Sequence, residues 1–154
     1  NGEASLTFDG TDLNIATGSI EVRTIDYSDG TNAMTIAAGG GVTFAKATKP
    51  ALNDLTEADA VAIDLKAANV HTLTLDRATT TLSITSASET AGQTFIIRVT
   101  QDGTGSRALN FFGGISWAGG TAPTITTTAS KTDVFGFLCT GDDTYDGFVI
   151  GQNI

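Results

Sequence analysis

Residues 92–124 read Gly92-Gln-Thr-Phe-Ile-Ile-Arg-Val-Thr-Gln-Asp-Gly-Thr-Gly-Ser-Arg-Ala-Leu-Asn-Phe-Phe-Gly-Gly-Ile-Ser-Trp-Ala-Gly-Gly-Thr-Ala-Pro-Thr124. Thr94 to Thr100 is a strand-like run, and Phe95 to Val99 is the most apolar strand of the chain, expected at the centre of a sheet. A polar glycine turn, Gln101 to Ser106, leads into a second run from Arg107 to Phe112. Two such runs around a short Gly-containing turn predict a β-hairpin. Phe111 and Phe112 are adjacent, so a strand would turn one inward and the other outward, toward a neighbouring subunit. Trp117 and the Gly-Gly-Thr-Ala-Pro loop ending at Pro123 follow. The stretch holds no catalytic constellation and points to a structural or binding role.

Outward from it, strand follows strand. Val61 to Leu65 alternates, as does the second half of Val70 to Leu75, and Thr81 to Ile84 is brief. Val134 to Cys139 and Tyr145 to Ile150 read as a C-terminal hairpin across Thr140 to Thr144. Strands at roughly ten-residue spacing, with no helical periodicity, predict an antiparallel sandwich or open barrel.

Toward the N-terminus the strands are shorter. Leu6–Phe8 and Leu13–Ile15 flank an Asp-Gly turn, Ile20 to Tyr27 alternates, and Met34–Ile36 and Val42–Phe44 flank Gly39 to Gly41. Each carries only two or three large apolar groups. Isolated hairpins are marginal in water, so this thin region needs further strands or a partner surface. Residues 45–60 hold one of the two prolines and the densest charges, and read as a linker with room for a short helical turn at Ala51 to Leu55. The expected division is a β-rich stem or attachment region over 1–49 and a β-sandwich domain over 50–154.

Composition narrows the function. The 154 residues suit one domain, or one domain plus an extension. Threonine is the commonest residue, with 27 copies, and its branched Cβ favours strands that face water. Lys plus Arg number 8 against 17 acidic residues, a formal charge of −9. No basic cluster exists to displace phosphate counterions, so nucleic acid is not an expected partner, and neither is an anionic membrane surface. No apolar run approaches the ~20 residues of a spanning helix, so membrane insertion is not expected. The single Cys139 sits in an apolar run and reads as a core residue. The chain begins Asn1-Gly2 without an initiator Met, which suggests a processed product or part of something longer.

The candidate sites are few. Gly103-Thr-Gly105 lacks the Lys and following helix of a phosphate loop. His71, near Asn69 and Asp76, reads as a structural or exposed histidine rather than a ligand or catalytic group. Asp142, Asp143 and Asp146 do not have calcium-loop spacing and read as a solvated turn. Trp117 is either a plug for the open end of the sandwich or a platform on which a sugar stacks. Trp117, Asp142 and Asp143 are therefore the candidate ligand or surface contacts. No catalytic residue, cofactor or metal is expected.

Ala62-Ile-Asp-Leu65, Asn69 to Leu75, Ala91 to Phe95, Arg98 to Arg107, Trp117 to Thr124 and Lys131 to Phe135 together resemble the C-terminal β-domain of tailed-phage virion proteins, often tail fibres. The order and spacing of Gln101-Asp-Gly-Thr-Gly-Ser-Arg107 and Gly119-Gly-Thr-Ala-Pro123 carry most of the likeness, which spans residues 60–151. Phe111-Phe112-Gly113 departs from it, where a more polar loop is expected. The resemblance implies an all-β protein: an antiparallel, jelly-roll-like β-sandwich with a short N-terminal β-hairpin stem, intertwined in a homotrimer. It implies a structural virion component at the particle surface, either a tail fibre or tail-tip protein or a capsid decoration or head-fibre protein. Its partners would be other phage virion proteins. A carbohydrate-binding module recognising host surface glycans through Trp117 and loop polar residues is the alternative.

Overall fold

The computed structural model describes residues 24–26, 32–36, 42–44, 50–85 and 90–154. The chain divides into two units, Asn1–Thr48 and Lys49–Ile154. In the first, β1 (Thr24–Asp26), β2 (Asn32–Ile36) and β3 (Val42–Phe44) form an antiparallel meander in that order. Met34 pairs with both Ile25 and Phe44, so the strands expected on either side of Gly39 to Gly41 pair with one another. The strands expected at Leu6–Phe8 and Leu13–Ile15 lie outside the described residues.

The second unit contains β4 (Leu52–Asp54), β5 (Ala60–Ile63), β6 (Val70–Leu75), β7 (Thr79–Ile84), β8 (Thr94–Gln101), β9 (Ala108–Asn110), β10 (Ile115–Trp117), β11 (Thr132–Gly141) and β12 (Thr144–Gly151). They form a six-stranded sheet, β10-β12-β11-β8-β6-β4, and a three-stranded sheet, β5-β7-β9. From β4 to β9 the chain alternates between the sheets. β4, β6 and β8 stack in parallel in one sheet, and β5, β7 and β9 stack in parallel in the other. Parallel neighbours need a long crossover, and here each crossover contains a strand of the opposite sheet. The result is three coils of a two-sheet solenoid. The antiparallel pairs β8–β11 and β11–β12 then extend the large sheet.

The all-β, two-sheet expectation holds, as does the C-terminal hairpin. The pairing is mixed, whereas a jelly roll would be antiparallel throughout. Two local expectations are corrected. Gln101–Ser106 does not fold β9 back onto β8, because β9 pairs with β7 in the other sheet. Ala51 to Leu55 contains strand β4 rather than a helical turn. The neighbouring coil satisfies its backbone: Val70 N–H donates to the Ala51 carbonyl (3.3 Å) and Leu55 N–H to the Thr72 carbonyl (2.8 Å).

Alternation sends Phe95, Ile97 and Val99 of β8 inward with Leu73 and Leu75 of β6 and Phe135 and Phe137 of β11. Val61, Ile63 and Leu82 of the small sheet belong to the same core. Each large side chain so buried contributes about 1.5–3 kcal/mol.

Candidate functional site

The glycine-rich segment after β8 is an arch from one sheet to the other. Gln101 is buried, and its Nε2 donates to the carbonyls of Arg107 (3.0 Å) and Thr126 (2.8 Å). Its Oε1 accepts the Arg107 N–H at 2.9 Å. Asp102 Oδ1 accepts the N–H groups of Thr104 (3.0 Å) and Gly105 (2.8 Å), and Oδ2 accepts Arg107 Nε (3.1 Å) and a terminal guanidinium N–H (2.6 Å). Arg107 first, with the two backbone N–H groups, holds the Asp102 carboxyl down to about 2 against a smaller opposing effect of burial. Gly105 has φ +74°, and a Cβ there would meet the Thr127 carbonyl oxygen at 2.6 Å. Ser106 N–H donates to that same carbonyl at 2.7 Å. The N–H groups of residues 104, 105 and 106 thus bond within the fold, so the segment is a structural joint rather than a phosphate cradle.

Trp117 ends β10 and pairs with Gly147 of β12. A Cβ at Gly147 would sit 2.7 Å from Trp117 Cε3 and Cζ3, so the six-membered ring of the indole lies against the Gly147 backbone. Phe111, Phe137 and Phe135 surround the half-buried indole at centroid distances of 5.1, 5.7 and 6.3 Å, all edge-on. Phe111 also meets Phe135 at 5.0 Å, and Phe112 joins Phe95, Phe137 and Tyr145 in the core. Both phenylalanines therefore pack within the domain, and the outward one expected to face a neighbouring subunit is engaged by Trp117.

An open groove of about 350 Å³ lies between Leu82, Ser83 and Ile84 of β7, Phe112, and Asp143 and Tyr145 of the C-terminal hairpin. Gly114 locks its rim. Its φ is +75°, and a Cβ there would lie 1.9 Å from the Asp143 carbonyl oxygen. The Gly114 carbonyl also accepts the Tyr145 N–H at 2.9 Å. Asp142 and Asp143 are exposed at the β11–β12 turn. Asp143 lines the groove, whereas Asp142 and Trp117 do not. Three separated segments make this groove, and no local pattern marks them. Among the described residues no cluster of His, Cys, Asp and Glu could hold a metal.

One buried carboxylate escaped the sequence reading. Asp133 accepts the N–H groups of Thr126 (2.6 Å) and Asn153 (2.9 Å) and Gln152 Nε2 (3.3 Å). Burial pushes its pKa up, and these donors more than offset that, leaving it below the ordinary carboxylate value. It clamps the segment after Pro123 and the C-terminus onto β11. It is held as an acceptor, which suits structure better than proton transfer.

The model of the family "Putative phage tail fibre C-terminal domain" matches residues 54–144, which is 91 of the 154 residues. The chain belongs to that family. The match runs from the end of β4 to the first residue of β12. It takes in β5 to β11, the arch and the Trp117 loop. Family membership makes the chain a phage virion component of structural type. No curated protein and no solved structure matches the chain.

Proposed function

We propose that the chain is a non-enzymatic structural subunit of a phage fibre or appendage, a homotrimer joined through apolar β faces and displayed at the particle surface beside other virion proteins. The observation that carries this reading is a row of apolar residues across the solvent face of the large sheet. Register aligns Leu52, Val70, Ile96, Gly136 and Phe148 on five neighbouring strands. Ile150 covers Gly136, its Cδ1 lying 2.9 Å from where a Cβ would be. Leu52, Phe148 and Ile150 are 64, 52 and 58% exposed. A contiguous apolar band on a soluble chain marks an association surface. Beyond Gly147, β12 also has no strand on its outer side among the described residues, and such an edge favours pairing with another chain. The family match favours a tail fibre or tail-tip position over a capsid decoration or head fibre.

Sedimentation of the intact chain tests this. Three times the monomer mass is expected, with Phe148→Lys plus Ile150→Lys shifting the protein toward monomer while it stays folded. A monodisperse wild-type monomer would refute the reading.

The groove favours one second reading. Its apolar residues Leu82, Ile84 and Phe112, with Ser83 and Asp143 also on the lining, suit a pyranose ring of a host surface glycan. Glycan-array binding that is lost in Asp143→Ala supports it. Loss in Trp117→Ala alone places recognition at the Trp117 loop instead, and no binding leaves the structural reading unaccompanied.

A further inference from the structure

His71 is the only histidine of the chain and is completely buried. It sits in the middle coil, its backbone paired with Asn53 of β4 and Ile97 of β8. The Phe95 ring meets it edge-on at 6.4 Å. Neither ring nitrogen makes a hydrogen bond of ordinary geometry. We propose that His71 is an acid-sensitive element of the solenoid: the folded coil accepts only the neutral ring, so mild acid loosens the coil around it.

The charged groups on the surrounding elements do not rescue the protonated form. On β4, Asp54 accepts the Thr72 hydroxyl at 2.6 Å. On the connection to β5, Glu57 accepts the Thr80 hydroxyl. On β8, Arg98 is exposed on the opposite face of its strand from Phe95 and Ile97. The β5–β6 connection carries exposed Lys66 and half-buried Asp64, and only the Asp64 carboxylate acts on the ring. β5 and β7 carry no charged residue. Burial lowers the His71 pKa from 6.5, while the Ala68 backbone and the Asp64 charge oppose this and do not cancel it.

Above about pH 6.5 the ring is neutral in both states and makes no pH-dependent contribution. Below it the unfolded chain takes up a proton that the folded chain refuses. The unfolding constant then rises by up to about tenfold per pH unit, until the folded-state pKa is reached.

The test uses the full chain. Urea unfolding is followed from pH 7.5 to 5.0 for the wild type and for His71→Phe and His71→Gln. NMR of the imidazole Cε1–H follows the same range in the folded wild type. The expected result is a wild-type unfolding constant that climbs by up to about tenfold per unit below pH 6.5, a climb reduced in the variants, and a ring whose titration in the folded protein lies below pH 6.5. A ring titrating near 6.5 in the folded protein, or matching wild-type and variant profiles, overturns the proposal. If neither variant folds, the wild-type NMR titration decides alone.

Discussion

Gly114 and Gly119 share the same positive φ and differ in the space around it, which makes a matched test of how the loops close on the sheets. Their φ values are +75° and +76°. An alanine at either position meets the left-handed penalty of about 1–2 kcal/mol. At Gly119 nothing lies within 4 Å of the added Cβ, so the cost stops there. At Gly114 the Cβ would fall 1.9 Å from the Asp143 carbonyl oxygen. Ordinary contact needs more than 3 Å, so the backbone must part by over an ångström. Relief of that overlap costs about 1–3 kcal/mol. It also threatens the Tyr145 N–H to Gly114 carbonyl hydrogen bond, worth about 0.5–1.5 kcal/mol. Gly114→Ala is therefore expected to lose about 3–6 kcal/mol, and Gly119→Ala about 1–2 kcal/mol. Urea melts read by Trp117 fluorescence measure both, since Trp117 is the only tryptophan. Equal losses in the two variants would refute the close approach of the Gly114 loop to the β11–β12 turn.

Asp102 has a folded-state pKa of about 2, below its unfolded value of about 3.9. Its stabilising contribution is present above pH 4 and is lost as pH falls toward 2. Asp102→Asn should flatten stability in that acid window, and an unchanged profile would count against the Arg107 pairing. Gly147→Ala forces the indole off its backbone seat and should cost about 1–3 kcal/mol with a shifted Trp117 emission maximum; unchanged emission would contradict that packing. Asp133→Ala leaves the N–H groups of Thr126 and Asn153 without their acceptor and should cost about 1–3 kcal/mol, read by the same melts; a neutral effect would remove the clamp. Millimolar calcium should leave the melting temperature unchanged, and a clear rise would revive the Asp142–Asp146 turn as a cation site.

Strand positions were legible because burial on one face imposes a two-residue period. Val61, Leu73 and Phe95 all fall on strands for that reason. Pairing was not legible, because alternation carries no information about which strand lies alongside. Coiled folds often betray themselves by a fixed repeat, but here Leu52 aligns with Val70 and Val70 with Ile96, successive steps of 18 and 26 residues. The Gln101–Arg107 segment misled for a related reason. A buried glutamine side chain replaces the backbone ladder that a hairpin would have made, and residue type alone does not show that. Two signals were present and more informative than they looked. His71 is in phase with Leu73 and Leu75, which places it in the core. A glycine in mid-strand, Gly147, marks the close approach of another group, here Trp117. The apolar row on the outer face became visible only once register aligned residues nearly one hundred positions apart.

The position of the chain in a particle decides whether it is a structural fibre subunit. Electron cryomicroscopy of the intact phage is expected to show it in a threefold fibre or appendage, with the Leu52, Ile96 and Phe148 faces turned toward neighbouring copies. Density for single copies, with that row facing solvent, would contradict it.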